Sequence, residues 1–468
     1  MTTDTSPSSP VQPTPGPLDA DVVGELRRLV TGRVAYPADA AYPELVTGHD
    51  LAADHRPAVV VEPADAADVQ HAVAVAAAHG LKVAVQATGH GTGHPVRGGL
   101  LLATHALTGI EVDPQARTVT VGAGVTWGPL AAAVAEHGLQ AVTTNGPSVG
   151  VVGSTLGGGV GPLARSHGFT GEHVAALDVV TADGLARRVV PGDDVFWALV
   201  GGRDGVAVVT AMTLRLQPTA DLWGGELVWV GPALDDALTA WHRFASTVPE
   251  SVTTSAMAGI APDVEEVPPP LRGQAMLRVT VCAAASEQEA VEAALAEAPE
   301  PAMRALAPLT VADFLARHGD VAPAMPTWQR GFALVDLSDE TLDVVRTLAG
   351  PASGAPLVGV ELRRLGGALA RGGGDAIGGR DAEWLVSVIG VPDPALFADA
   401  LPALARRLES ALEPWSTGGS LLNFHGRPGP GHELDRAWTP DVHARLQRIR
   451  TDVDPEGALT RDGSVLPS

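Results

Sequence analysis

Three places in this chain combine residue types that could do chemistry. The first is VAVQATGHGTG, Val83 to Gly93, where Gly89, Gly91 and Gly93 alternate with His90, Thr92 and His94. Glycine lets a backbone turn through positive φ and come close to a ligand, and successive N–H groups in such a turn form a nest for anionic oxygens. An imidazole stands at the centre of this turn. The competing reading is a tight turn that holds incidental histidines. The second place is NGPSVGVVGSTLGGGVG, Asn145 to Gly161. So many glycines disfavour a helix or strand interior, which predicts a loop lying against a flat or phosphorylated ligand. The third is Glu361 in LVGVELRRLGG. Val358, Val360 and Leu362 would share one face of a strand there, and Gly359, Glu361 and Arg363 the other. Facing a ligand, the carboxylate suits general-base work; facing water, it suits an ion pair with Arg363 or Arg364.

The pattern around these groups supplies their scaffold. DADVVGELRRLV, from Asp19, reads as an amphipathic helix. RPAVVVEP (Arg56–Pro63) reads as a buried strand closed by proline. Asp65 opens a helix through Ala78, and Val83 and Val85 then begin a short buried strand. Strand, helix, strand predicts a βαβ unit with a parallel pair. The glycine turn therefore sits at the C-terminal end of a strand, where open α/β folds hold ligands. ARTVTVGAG alternates as a strand, and a helix follows from Pro129 to Glu136. Leu177–Val190 reads as a hairpin with Asp183-Gly184 as a type I′ turn. A helix bearing Phe196, Trp197 and Leu199 comes next, then a strand from Val206 to Leu216. Past Gln217 strands alternate with helices, with Ser286 and Ser338 as N-caps. That pattern predicts an antiparallel sheet covered by helices on one face, an α+β arrangement.

Length and composition narrow the function classes. A chain of 468 residues exceeds one hydrophobic core, so two domains are expected. With 45% hydrophobic and 18% charged residues the chain is globular. A formal charge of -23 argues against a nucleic-acid partner and against anionic membrane surfaces. The single cysteine, Cys282, excludes an intrachain disulfide and a thiolate cluster; no metal site is expected, and within a strand Cys282 reads as a buried structural thiol. The opening residues MTTDTSPSSPVQPTPGP lack both a basic start and an apolar run, so they read as a disordered polar tail and not a signal peptide. No stretch reaches the length of a membrane span. The expectation is a cytoplasmic protein whose oligomeric state is not legible.

In order, RPAVVVEPADAADVQHAV, VAVQATGHGTG, GLLLATHALTGIEVDPQARTVTVGAGVTWG, GVVGSTLGGGVGPLARSHGFTGEHVAALDVVTADG and DVFWALVGG cover most of residues 33–217. The series resembles the FAD-binding domain of the vanillyl-alcohol-oxidase/PCMH flavoprotein superfamily, in its berberine-bridge-enzyme-like branch. The resemblance implies a PCMH-type FAD-binding domain of two α/β subdomains, plus a substrate domain whose antiparallel sheet roofs the flavin. Expected boundaries are a tail over 1–18, the FAD domain over 19–218, the substrate domain over 219–417 and a C-terminal segment over 418–468 returning to the FAD domain. FAD is the implied cofactor, attached through an 8α-histidyl bond at the position of His90. Ala87, Thr88, Gly89, Gly91, Thr92 and Gly93 are implied to wrap the pyrophosphate, with Ser148, Gly153, Ser154, Gly158, Val208 and Asn423 completing the cofactor shell. Bicovalent members carry a cysteine ahead of a Pro-Thr-Val-Gly-like run; here Gly146 precedes Pro147-Ser148-Val149-Gly150, so a single attachment is implied.

For the reacting side, the family's LGGAxAR recurs as Leu365–Arg371, which supports the register of the strand bearing Glu361; in some relatives a glutamate on this strand is the base, which makes Glu361 the first catalytic candidate. His425, after Asn423-Phe424 where the family has Asn-Tyr, is the second catalytic candidate. The tyrosine base of several relatives has no counterpart, since the only tyrosines are Tyr36 and Tyr42. The chain also departs from the family at Gly201–Ala207, which replaces GGGGNFG, and at Glu172-His173, which replaces Asp-Asn. The implied reaction is hydride transfer from a small, specialised-metabolite substrate to flavin N5, with O₂ as acceptor. Two alternatives stay open: a flavin scaffold that binds or cyclises a precursor without net redox, and a dehydrogenase using another acceptor.

Overall fold

Short apolar runs become strands in this molecule wherever a helix or a second sheet can cover them. The computed structural model describes residues 20–91, 95–261, 263, 265, 269, 271–317, 323–429 and 432–459. Strands β1 (Arg33–Ala35), β2 (Val59–Glu62), β3 (Val83–Gln86) and β4 (Leu100–Ala103) form a sheet in the order β1-β2-β4-β3. β2, β4 and β3 run parallel, with Val59 and Val83 both opposite Leu100. The expected βαβ unit is therefore right in direction but not in adjacency, because β4 inserts between its strands. Leu100, Leu101 and Leu102 are all 0% exposed, as a strand covered on both faces requires. α1 (Ala20–Leu29) and α3 (Ala66–Ala78) cover one face and α2 (Tyr42–Val46) the other. The Asp65 carboxylate accepts the N–H groups of Ala67 and Asp68 and so starts α3. Val85 departs from expectation: it is 49% exposed, on the strand that leads into the first glycine turn.

The second sheet is antiparallel. It contains β5 (Ile110–Asp113), β6 (Thr118–Gly122), β8 (Val174–Thr181), β9 (Ala186–Val189) and β10 (Ala207–Arg215), in the order β5-β6-β10-β8-β9. β7 (Leu139–Gln140) and β11 (Gln217–Pro218) make a separate two-residue pair. The β8–β9 hairpin forms, but not with a type I′ turn: only Gly184 has positive φ, and Thr181 N bonds Leu185 O across a three-residue loop. The helices of this part are α4 (Trp127–Ala135), α5 (Val151–Leu156), α6 (Ala164–His167) and α7 (Asp194–Leu199). α5 corrects the loop expectation for the second glycine segment. Trp127 Nε1 donates to Ser154 Oγ at 2.9 Å and Asn423 Nδ2 to Ser154 O at 2.7 Å. These contacts offset the roughly 1 kcal/mol that Gly153 costs a helix interior.

The second half of the chain builds one seven-stranded antiparallel sheet. Its strands are β12 (Leu222–Val230), β13 (Val252–Ile260), β14 (Ala275–Ala284), β15 (Met303–Leu309), β16 (Gln329–Leu334), β17 (Leu357–Arg364) and β18 (Trp384–Gly390), ordered β15-β12-β14-β13-β17-β18-β16. α8 (Leu234–Thr247), α9 (Gln288–Leu295), α11 (Asp339–Ala349) and α12 (Ala400–Leu412) pack on one face; α10 (Val311–Arg317) lies against α4. Ser338 caps α11 as expected, whereas α9 begins after a 3₁₀ turn with Glu287, not Ser286, at its start. Trp229, Trp241, Val279, Val360 and Leu362 fill the helix-covered core. From the opposite face Cys282, Ala333, Leu365 and Leu385 join the core of the first half. Arg165 locks the two halves: its buried guanidinium donates to the carbonyls of Val248, Val252 and Leu365. Finally α13 (Pro440–Val453) returns to the first half, where Arg450 and Trp438 bond the Gly201–Asp204 turn, and Val83 N bonds Ala458 O beside β3.

Candidate functional site

The first glycine turn is held by a backbone contact that only glycines permit. Gly89 has φ +71°, and a Cβ on it would lie 2.6 Å from Gly48 Cα. His49 N and Asp50 N bond the carbonyls of Thr88 and Gly89, and this close approach lays the His49 ring on the His90 ring, 3.9 Å between centroids and 10° from parallel. His90 Nδ1 is 2.9 Å from Thr88 Oγ1, and Nε2 is 3.1 Å from Ser148 Oγ. The imidazole thus joins the two glycine segments, tethered to a hydroxyl of each. Thr88 also packs near Gly150, and among the described residues no atom lies within 4 Å of where a Cβ would stand on Gly91 or Gly153. Thr92 and Gly93 lie outside the described residues.

Around the second glycine segment the structure collects polar groups with nothing to bond. The hydroxyls of Thr143, Thr144, Thr155 and Thr170 and Oδ1 of Asn145 are buried and have no hydrogen-bond partner among the described residues. Each such group costs roughly 1–3 kcal/mol unless something satisfies it, so five together mark a candidate cleft for a polar ligand. Sequence reading missed the threonines. Thr143 and Thr144 stand directly before Asn145, but their orphaned state depends on Gly159 and Gly161, whose bare Cα atoms let the chain press against Thr170, Thr144 and Thr143.

The face of the seven-stranded sheet opposite its helices turns toward the first half of the chain. Glu361 lies on that face, as the alternation predicts, with Val360 and Leu362 2% exposed on the other. It does form the expected ion pair: Arg363 Nη2 is 2.8 Å from Glu361 Oε1. The pair is mostly buried, and Arg363 lies over the Phe424 ring. An ion pair and a place in the site are therefore not alternatives here. Met257 stands across β13 from Glu361 and Ser387 across β18.

Other expected site residues fall elsewhere. His425 is 0% exposed; Nδ1 is 2.7 Å from Ser420 Oγ and the ring stacks on His432. It packs the C-terminal segment and does not open onto the cleft. Ser154 spends its hydroxyl on Trp127 and on Gly150 O. The Val208 side chain is buried in the core, and Gly158 packs on Ile377 and Phe169. Asn423 binds α5 through Ser154 O. Burial pushes the Cys282 thiol up to about 12, so it stays protonated and inert. Burial also raises the Glu172 carboxyl despite Arg380 beside it. Among the described residues no group of three His, Cys, Asp or Glu side chains could hold a metal ion, and no helix is long and apolar enough to cross a membrane.

Comparison with known proteins agrees with this geometry. Residues 57–189 match the family described as FAD binding domain. The FAD-linked oxidoreductase YvdP of Bacillus subtilis, itself called uncharacterized, is 29% identical over 233 residues, 47% of this chain and 51% of that protein. The match thus spans about half the length of this curated relative. Among solved structures, Physcomitrella patens BBE-like 1 aligns with TM-score 0.81 at 18% identity, covering 94% of this chain and 98% of that one. 6-Hydroxy-D-nicotine oxidase from Arthrobacter nicotinovorans aligns with TM-score 0.78 at 22% identity, covering 92% and 96%. At those identities the likeness is one of fold. The cleft fits FAD on its own terms: orphaned hydroxyls and an amide oxygen suit phosphate, ribityl and ring-edge groups, and the glycine turns leave room for them. Residues 57–189 thus match an FAD binding domain, and the chain as a whole has the fold seen in BBE-like 1 and 6-hydroxy-D-nicotine oxidase.

Proposed function

We propose that this chain is an FAD-dependent oxidoreductase acting as an oxidase on a small, specialised-metabolite substrate in the cytoplasm, with FAD attached to His90 alone. The observation that carries this reading is the position of His90. Its ring is held at both nitrogens by hydroxyls of different glycine segments, and His49 sets its plane. A ring nitrogen's lone pair lies in the ring plane, so fixing that plane aims the nucleophile. When bound, the flavin supplies the redox chemistry, accepting hydride from substrate and passing electrons to O₂. The chain does the holding. Thr143, Thr144, Asn145, Thr155 and Thr170 would hold the cofactor's polar groups, and the backbone of Ala87–Gly91 would hold its phosphates. Glu361 takes the substrate's proton, with Arg363 balancing the carboxylate charge where water is scarce. Phe424 and Met257 flank the substrate as apolar walls.

The test is an absorbance spectrum of purified protein, then acid precipitation and intact mass. The expected result is yellow colour that stays with the pellet and a mass raised by one FAD, both lost in His90→Ala. A colourless chain that cannot be reconstituted with FAD would sink the oxidase reading in favour of a scaffold without redox chemistry. FAD released by acid would remove only the covalent bond from the account.

A further inference from the structure

The face of the seven-stranded sheet that turns toward the first half carries two buried donor groups that the described residues do not satisfy. Ser387 is 4% exposed and its Oγ has no partner; Arg363 is 6% exposed and its Nε has none. Strand register sets both beside Glu361. Ser387 is its direct partner across β18, and Arg363 follows two residues along β17 on the same face, reaching Glu361 through Nη2. Burying a donor unmade costs on the order of 1–3 kcal/mol, and more for a charged group. Two such donors therefore flank one carboxylate acceptor.

We propose, resting on the oxidoreductase reading of this site, that the substrate carries a hydroxyl adjacent to a carbonyl or carboxylate oxygen. The hydroxyl donates to Glu361. The neighbouring oxygen accepts from Arg363 Nε and Ser387 Oγ, one charge-assisted hydrogen bond and one neutral one. A plain alcohol leaves both donors orphaned and is rejected for that reason, as a site built to hydrogen-bond a group rejects analogues lacking it. Met257 across β13 from Glu361, and the Phe424 ring centred 5.3 Å from Arg363 Cζ, give apolar flanks for a flat carbon frame. Hydroxy acids and hydroxyaryl carbonyl compounds meet the pattern; hydrocarbon alcohols do not.

The flavin-loaded full-length chain is titrated with salicylate, benzoate and phenol, following the visible absorbance of the flavin. Salicylate presents both groups, benzoate the acceptor alone and phenol the hydroxyl alone. Salicylate is expected to bind at least about tenfold more tightly than phenol, with benzoate between. Arg363→Met weakens salicylate about tenfold, while Ser387→Ala weakens salicylate about three- to fivefold. Phenol binding as tightly as salicylate overturns the proposal, as does a flavin-loaded protein that binds none of the three, or Arg363→Met with unchanged salicylate affinity. The ranking by the unmutated protein decides the matter even where Arg363→Met fails to fold. A chain that takes up no FAD has no visible band at all; that outcome strikes the flavoprotein reading, and this inference falls with it for a distinguishable reason.

Discussion

Two histidines in this molecule have nearly the same neighbours and opposite situations. His90 has a serine hydroxyl 3.1 Å from one ring nitrogen and a second imidazole stacked at 3.9 Å and 10°. His425 has a serine hydroxyl at 2.7 Å and a second imidazole stacked at 3.8 Å and 11°. The first trio, Ser148–His90–His49, lies part-buried between two glycine segments. The second, Ser420–His425–His432, is sealed: His425 is 0% exposed, and His432 Nε2 is 2.9 Å from the His425 carbonyl. One arrangement ties two glycine segments together; the other fastens a chain segment to itself. Residue type and pairing do not separate them. Access, and unsatisfied groups nearby, do.

Alanine breaks the comparison most sharply. His90→Ala abolishes covalent flavin while the chain still folds, whereas His425→Ala keeps covalent flavin and loses about 2–4 kcal/mol of stability, from the cavity and the lost Ser420 bond. Acid-precipitated mass and urea midpoints read the two effects separately. A His425→Ala protein without covalent flavin but with unchanged stability would exchange the roles assigned here.

Acid gives the next largest effect. Burial, with the Arg330 charge adding to it, pushes His432 down to about 4. The folded value lies below the unfolded one, so between these limits the unfolded chain binds the extra proton. The contribution to stability is complete above about pH 6.5 and disappears as pH falls toward 4, by up to roughly 3 kcal/mol. Burial shifts His55, His167 and His173 in the same direction. Melting temperatures from pH 7 to 4.5 should therefore fall, and fall less in His432→Phe, which keeps a stacked ring with nothing to protonate. Parallel slopes in the two proteins would exclude His432 from the acid response.

How much of this was legible in the sequence follows the range of the interactions. Local signals carried well: the Asp65 cap, the Ser338 cap and the alternation that put Glu361 opposite Val360 and Leu362 are each decided within a few residues. Errors arose where distant chain decides. β4 enters between β2 and β3 because its leucines need cover on both faces. α5 forms against propensity because Trp127 and Asn423 reach it from far along the chain. In the candidate site, the glycines and His90 were visible as a run, but the His49 stack, the orphaned threonines and the donors Ser387 and Arg363 exist only once strands are in register. His425 stood as a catalytic candidate because nothing in a sequence reports a sealed ring.

The smallest expected effect lies in the two serines. Ser420→Ala leaves a buried imidazole nitrogen without its partner and no route for water, so it should cost about 1–3 kcal/mol. Ser148→Ala removes a contact from a part-buried ring that water can reach and rebond, so it should cost less than about 1 kcal/mol. Urea midpoints compare them directly. Covalent flavin should still form on Ser148→Ala, only more slowly, because Thr88 and His49 continue to orient the ring. Equal costs at the two serines would mean that His90 is as closed as His425. The tether from Ser148 would then belong to the packing of the fold, and the strongest support for a nucleophile at His90 would be gone.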